Sequence, residues 1–227
     1  MLDLGTSWTM RAEEWCYPII LGDLDRMQCR NFAELTADIT YPGVIGTEDT
    51  ALWFVERAIE LGIVFDDPIP QQIHAIRGPP TYPSTPGHAR AVDVADVSLF
   101  ADWLTAFFRE AVPHDPIPAR EVLEKHAGSG QYLFWIDNRQ PVSMAGIVRR
   151  TRSVAAIGGV YTPLSLRGRG YAGSATAALV EHIYAEGKQT ACLYVDLRNP
   201  FSNRCYAKIG FEPYCRAWHI PRRTGEH

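Results

Sequence analysis

The sequence predicts an α/β protein in two parts, and three observations lead there. Of 227 residues, 46% are hydrophobic, 11% aromatic and 21% charged, a balance that buries a substantial core and excludes a chain disordered throughout. Apolar runs of strand length alternate with segments whose apolar residues recur at helical spacing. Between Gly78 and Gly87, four prolines and two glycines exclude a continuous helix or a central strand, so this segment reads as a linker.

Before the linker, residues 1–80 read as a small α/β unit. Leu24, Met27, Phe32, Leu35 and Ile39 recur at near-helical spacing. Thr47 is placed to cap a second helix, whose Leu52, Val55 and Ile59 face one way and which Gly62 stops. Tyr17–Leu21 and Gln72–Ile76 are strand candidates. After the linker, Ala89–Val92 reads as a short strand. Asp93 then caps a helix whose Val97, Phe100, Trp103, Leu104, Phe107 and Phe108 form a broad apolar face ended by Pro113. A second helix is expected over Ala119–Ala127. Strands at Gln131–Asp137 and Val142–Thr151 are joined through Asn138-Arg-Gln-Pro141, a tight hairpin signal, and Val154–Thr162 is a third strand. Arg167-Gly-Arg-Gly-Tyr-Ala172 opens a helix reaching about Ala185. Ala191–Leu197 follows as a strand, Phe201–Ile209 as a helix and Phe211–Ile220 as a closing strand.

Charge is uneven. Residues 1–113 carry 7 Lys/Arg and 17 Asp/Glu, a net −10, whereas residues 114–227 carry 15 and 9, a net +6, so an anionic ligand favours the second half. Cys16, Cys29, Cys192, Cys205 and Cys215 are odd in number and lack metal-pair spacing; they read as reduced, packed thiols, with no disulfide framework and no metal site indicated. No run approaches the roughly 20 apolar residues of a membrane span, and Met1-Leu-Asp-Leu-Gly5 lacks the basic start of a signal peptide. The expectation is a soluble, cytoplasmic protein. The net-acidic chain has no continuous basic stripe, which argues against nucleic acid as a partner.

The chemistry concentrates at Arg167–Ala172. A strand that ends in a Gly/Arg-rich loop and feeds directly into a helix is an anion site, because the first N–H groups of the helix point outward without partners. The spacing matches neither the dinucleotide fingerprint nor the P-loop. Val160-Tyr-Thr-Pro-Leu-Ser-Leu-Arg-Gly-Arg-Gly-Tyr-Ala172 resembles the acetyl-CoA-binding signature of the GNAT superfamily of N-acetyltransferases, Q/R-x-x-G-x-G/A, at Arg167, Gly170 and Ala172. Leu193 through Phe211 is similar to the later strand, Asn-containing loop, Tyr-bearing helix and Gly-Phe strand entry of that superfamily. The resemblance covers roughly residues 86–222. Residues 1–80 are reminiscent of the partial N-terminal unit found in tandem members.

The resemblance implies a mixed, mostly antiparallel sheet flanked by helices, and acetyl transfer from acetyl-CoA to a primary amine by direct attack, without a covalent enzyme intermediate. A pantetheine arm would run along Gly159, Val160, Tyr161 and Thr162. A pyrophosphate would lie on the N–H groups of Arg167, Gly168, Arg169, Gly170, Tyr171 and Ala172. Asn199 and Asn203 match CoA-contact places and equally suit helix-start caps. Tyr206 matches the tyrosine acid that protonates the leaving thiolate. The implied partners are acetyl-CoA or CoA and a small-molecule or peptide amine, with homodimer formation open. Members often place a glutamate on the strand before the phosphate loop, yet Ser153–Thr162 holds no acidic residue. Glu110, His114 and Asp115 fall where the superfamily builds its acceptor pocket, and each equally suits a solvated surface. Without the strand glutamate, a catalytically weak CoA-binding or interaction protein is the alternative, and transfer of a larger acyl group, or onto a hydroxyl, is a third reading.

Overall fold

The computed structural model describes residues 2–3 and 8–10, as backbone, and residues 18–223; Cys16 and Tyr17, the first residue of an expected strand, lie outside the described residues. In chain order the first elements are β1 (Leu2–Asp3), β2 (Trp8–Met10), β3 (Ile19–Leu21), α1 (Arg26–Leu35), β4 (Gly43–Gly46), α2 (Glu48–Glu60), β5 (Ile69–Ile76) and β6 (His88–Ala91). There follow α3 (Val97–Ala111), α4 (Arg120–Glu124), β7 (Tyr132–Asp137), β8 (Gln140–Arg150), β9 (Val154–Tyr161), α5 (Tyr171–Ala185), β10 (Thr190–Asp196), α6 (Pro200–Ile209) and β11 (Glu212–Pro221). Among the described residues no helix is long and apolar enough to cross a membrane.

The chain divides into two compact units. One comprises residues 1–72, 113–116 and 215–227, the other residues 73–112 and 117–214. Cutting at the proline-rich linker would separate residues 1–80 from 86–222; instead most of β11 and the short segment Pro113–Pro116 group with the N-terminal residues.

The first unit lays its strands in the order β1-β2-β3-β4-β11. β3 and β4 run parallel, Ile19 opposite Val44, and β4 meets β11 antiparallel with Ile45 opposite His219. Asp25 caps α1 and forms a reciprocal capping box with Gln28. Thr47 does occupy the N-cap of α2, but its hydroxyl bonds the Thr50 hydroxyl at 2.9 Å rather than a backbone N–H. The expected helix faces need correction. Met27, Leu35, Leu52 and Ile59 are exposed, while Cys29, Phe32, Ala33, Ala51, Phe54, Val55 and Ala58 are buried. Packing decides between two apolar faces: Phe54 is fully buried and meets the Phe32 and Tyr41 rings at 5.9 and 6.2 Å, and Ala51 and Ala58 allow close approach beside it. β4 went unseen in the sequence because Gly43-Val-Ile-Gly46 is short, fully buried and without alternation.

The second unit takes the half of β5 from Ile73 onward and orders its strands β5-β10-β9-β8-β7-β6. It is a mixed, mostly antiparallel sheet with α3, α5 and α6 around it, as the family resemblance implied. The hairpin between β7 and β8 turns at Asn138 and Arg139, both at positive φ, which suits the twist of the flanking strands. The helix expected over Ala119–Ala127 shrinks to the five residues of α4. Helix α5 is apolar almost all round and lies deep, with Ala175, Ala177, Val180 and Ile183 wholly buried against Ile147, Ile157 and Leu193.

Candidate active site

Two parallel strands that begin paired and then part create a cleft with unsatisfied backbone, and β9 and β10 do this. Their register runs from Val154 opposite Thr190 to Ile157 opposite Leu193 and ends there, although β9 continues to Tyr161 and β10 to Asp196. The divergence has a local cause. Met144 pairs with Tyr161 and Gly146 with Gly158, so β9 holds one more residue than β8 over this stretch, a bulge centred on Gly159 and Val160. Gly159 takes φ +59°, and a Cβ there would come within 2.9 Å of the buried Tyr132 ring. Only glycine suits that position without strain. The bulge re-aims the backbone of Val160 and Tyr161, two of the four residues that the resemblance assigns to a pantetheine arm. Thr162 turns its hydroxyl inward to Ser143 at 2.8 Å, leaving its carbonyl at the strand end.

After β9, a short 3-10 turn at Leu164–Leu166 leads to the start of α5. Arg167 N–H donates to the Leu164 carbonyl within this turn, which removes it from the set of N–H groups expected to face a pyrophosphate. The helical ladder begins with Ser174 N–H donating to Gly170 O, so the N–H groups of Tyr171, Ala172 and Gly173 have no acceptor within their own helix. Gly170, at φ +86°, is the N-cap and supplies no capping side chain, and the first turn holds no acidic residue. These features suit an anion. Arg169 is exposed beside them. Tyr171 contributes backbone alone, since its ring is in the core and its hydroxyl donates to Asp137 at 2.6 Å. Residues 81–87 wall one side of the helix start: the Thr85 and Ser174 hydroxyls lie 2.5 Å apart, and Thr85 and Pro83 fill the space a side chain on Gly170 would need.

The Arg167 side chain is redirected as well. Its Nε donates to Thr162 O at 2.9 Å, its guanidinium pairs with the Glu110 carboxylate, and it lies 5.8 Å from the Tyr161 ring centre. Tyr161 donates to the same carboxylate at 3.4 Å, and its ring neighbours Trp103 at 6.0 Å. An acid that the strand itself lacks is therefore brought to the end of β9 from helix α3. Sequence reading named Glu110 only as one of three helix-end candidates, because 51 residues separate it from Tyr161 and no local pattern links them.

On α6, Asn199 is the N-cap and accepts from Ser202 N–H at 3.2 Å, and the Asn203 amide donates to Asp196 O and Asn199 O. Both amides thus tie the loop to the helix start. Tyr206 is half-buried; its ring meets Phe211 at 6.0 Å and packs on the same core cluster as Val160 and Leu166. Burial pushes its phenol well above the ordinary tyrosine range. Cys205, beside it, is likewise raised by burial, which disfavours the thiolate a nucleophile would need.

The chain is similar in fold to solved structures of GNAT-family acetyltransferases, and part of its sequence matches one family model. Residues 136–219 match the model of the family described as FR47-like protein. A GCN5-related N-acetyltransferase from Kribbella flavida is similar at 18% identity and TM-score 0.63, over 94% of this chain and 84% of that one. A GNAT-family structure from Novosphingobium aromaticivorans, assigned as an acetyltransferase without a named substrate, aligns at 17% identity and TM-score 0.61, over 98% and 91%. A GCN5-related N-acetyltransferase from Sphaerobacter thermophilus follows at 20% identity and TM-score 0.58, over 82% and 62%. No functionally curated protein matches the sequence.

Proposed function

We propose that the protein is an acyltransferase that moves the acetyl group of acetyl-CoA to a primary amine, without a covalent enzyme intermediate. The observation that carries this reading is the parting of β9 and β10 beside the uncapped start of α5, which joins an extended backbone slot to an anion site. Acetyl-CoA supplies an activated thioester. The N–H groups of Tyr171, Ala172 and Gly173, with Gly168 and Arg169, hold its pyrophosphate. Gly159, Val160, Tyr161 and Thr162 hold the arm, with the Val160 N–H at the bulge donating to the oxygen that gains charge. Asn199 and Asn203 shape the loop on the far side of the slot.

Glu110 takes the proton that the amine loses on attack, directly or through one water, and Tyr206 gives its proton to the sulfur as the carbon–sulfur bond breaks. Much of the acceleration comes from holding amine and thioester together. Trp103 and Tyr161 form an aromatic wall beside Glu110, an arrangement suited to a cationic amine. Turnover with acetyl-CoA, read by thiol release across small amines, amino acids, aminoglycosides and peptides, tests the reading, and release that no amine accelerates refutes it. One observation favours the alternative of a CoA-binding protein with little turnover: Arg167 already neutralises Glu110. Tight CoA binding without release would select that reading.

A further inference from the structure

Three potential ligand groups converge in the first unit. His114 and Asp115 lie in the segment Pro113–Pro116, and His219 lies on β11. One ligand atom from each falls within 4.8 Å of the other two. The His114 and His219 rings meet edge to face at 4.4 Å. His219 is 1% exposed and the Asp115 side chain 10%, yet neither His219 Nε2 nor Asp115 Oδ1 has a hydrogen-bond partner among the described residues, though they face one another at 3.4 Å. Groups of this kind are costly to bury without compensation. β4 passes close to β11 at Gly43, where a Cβ would meet the Ile220 carbonyl oxygen at 2.7 Å and stand 3.2 Å from His219 Nε2.

We infer that His114, Asp115 and His219 form a binding site for a divalent transition ion of the zinc class. Two imidazole nitrogens and one carboxylate oxygen, without thiolate, are a donor set such ions favour. A tetrahedral ion with ligands at about 2.0–2.1 Å sets its ligand atoms about 3.3 Å apart. The Asp115–His219 edge, at 3.4 Å, already has that length, and the His114 ligand atom lies within 4.8 Å of both. Prolines at both ends of Pro113-His-Asp-Pro116 restrict the backbone that presents two ligands. The ion pins this segment to β11 and leaves a fourth position for water. Cysteine spacing gave no sign of the site because its ligands are histidine and aspartate, and His219 stands about a hundred residues from the other two.

The test uses the full chain without an affinity tag, stripped by chelator, and Zn2+ as the probe. Calorimetry should find one equivalent bound per chain, with a raised Tm. Co2+ in its place should show the visible bands of a tetrahedral site. Asp115→Asn should weaken Zn2+ binding by at least about 100-fold. His114→Gln, at a partly exposed position, should do the same and abolish the Co2+ bands, and it keeps the test decisive if the first variant misfolds. Absence of Zn2+ binding tighter than about 10 µM, or affinity unchanged in a folded His114→Gln variant, would overturn the site.

Discussion

Replacing Gly159 with alanine probes the bulge that parts the strands. The new Cβ would stand 2.9 Å from Tyr132 Cε1 and 3.4 Å from Leu104 Cδ1, both on buried side chains, while the backbone stays at φ +59°. The left-handed conformation costs a non-glycine residue about 1–2 kcal/mol, and overpacking a core adds about 1–3, so the variant should lose about 2–5 kcal/mol. Gly168→Ala supplies the control. Its φ of +78° carries the same conformational cost, but nothing lies within 4 Å of the new Cβ, so about 1–2 kcal/mol is expected there. Urea unfolding of the three proteins, with unchanged slopes, measures both losses. Gly159→Ala should also lower acetyl-CoA turnover well beyond Gly168→Ala, because relief of the clash flattens the bulge and swings the Val160 N–H. Equal stability losses for the two variants, or a loss below about 1 kcal/mol at Gly159, would refute the account of why the strands part.

Four further outcomes are expected. Tyr206→Phe should lower turnover about 10²–10⁴-fold with acetyl-CoA binding nearly intact, and retention of wild-type turnover on a chemistry-limited substrate would return Tyr206 to a packing role. Burial raises the Tyr206 phenol, so its proton is lost only as pH climbs through a value above the ordinary one; kcat should show no alkaline fall up to about pH 9, and a fall near neutrality would exclude it as the acid. Glu110→Gln should cut kcat about 10²-fold while shifting stability by less than about 1 kcal/mol, since its ion pair is exposed; unaltered kcat would remove it as the base. Asn199→Ala should cost about 1 kcal/mol by uncapping α6 and Asn199→Ser should recover most of it, whereas an unchanged Tm in the alanine variant would dismiss the cap.

Local patterns carried much of this protein. The hairpin at Asn138 and Arg139, the cap at Asn199 and the glycine-rich entry to α5 each depend on backbone preferences within a few residues, and such preferences survive in any tertiary setting. Asp93, expected to cap α3, instead caps a 3-10 turn over Val94–Asp96, and Asp96 stands at the N-cap of α3. The order of strands and helices after the linker was legible for the same reason, and with it the resemblance to the GNAT superfamily.

Azimuth and long-range pairing were not legible. Periodicity showed that α1 and α2 are amphipathic without showing which face is inward; the choice fell to the face carrying Phe32 and Phe54, leaving Met27 and Ile59 in solvent. Arg167 reads as a phosphate ligand in the sequence, but in the fold a carbonyl at Thr162 and a carboxylate at Glu110 lie within its reach and orient its guanidinium. The meeting of Glu110 with Tyr161, and of Asp115 with His219, joins residues far apart in the chain. Such encounters are set by how a helix end or a loop docks on a sheet. A linear sequence specifies each partner's chemistry, and only the closed core brings the partners within bonding distance.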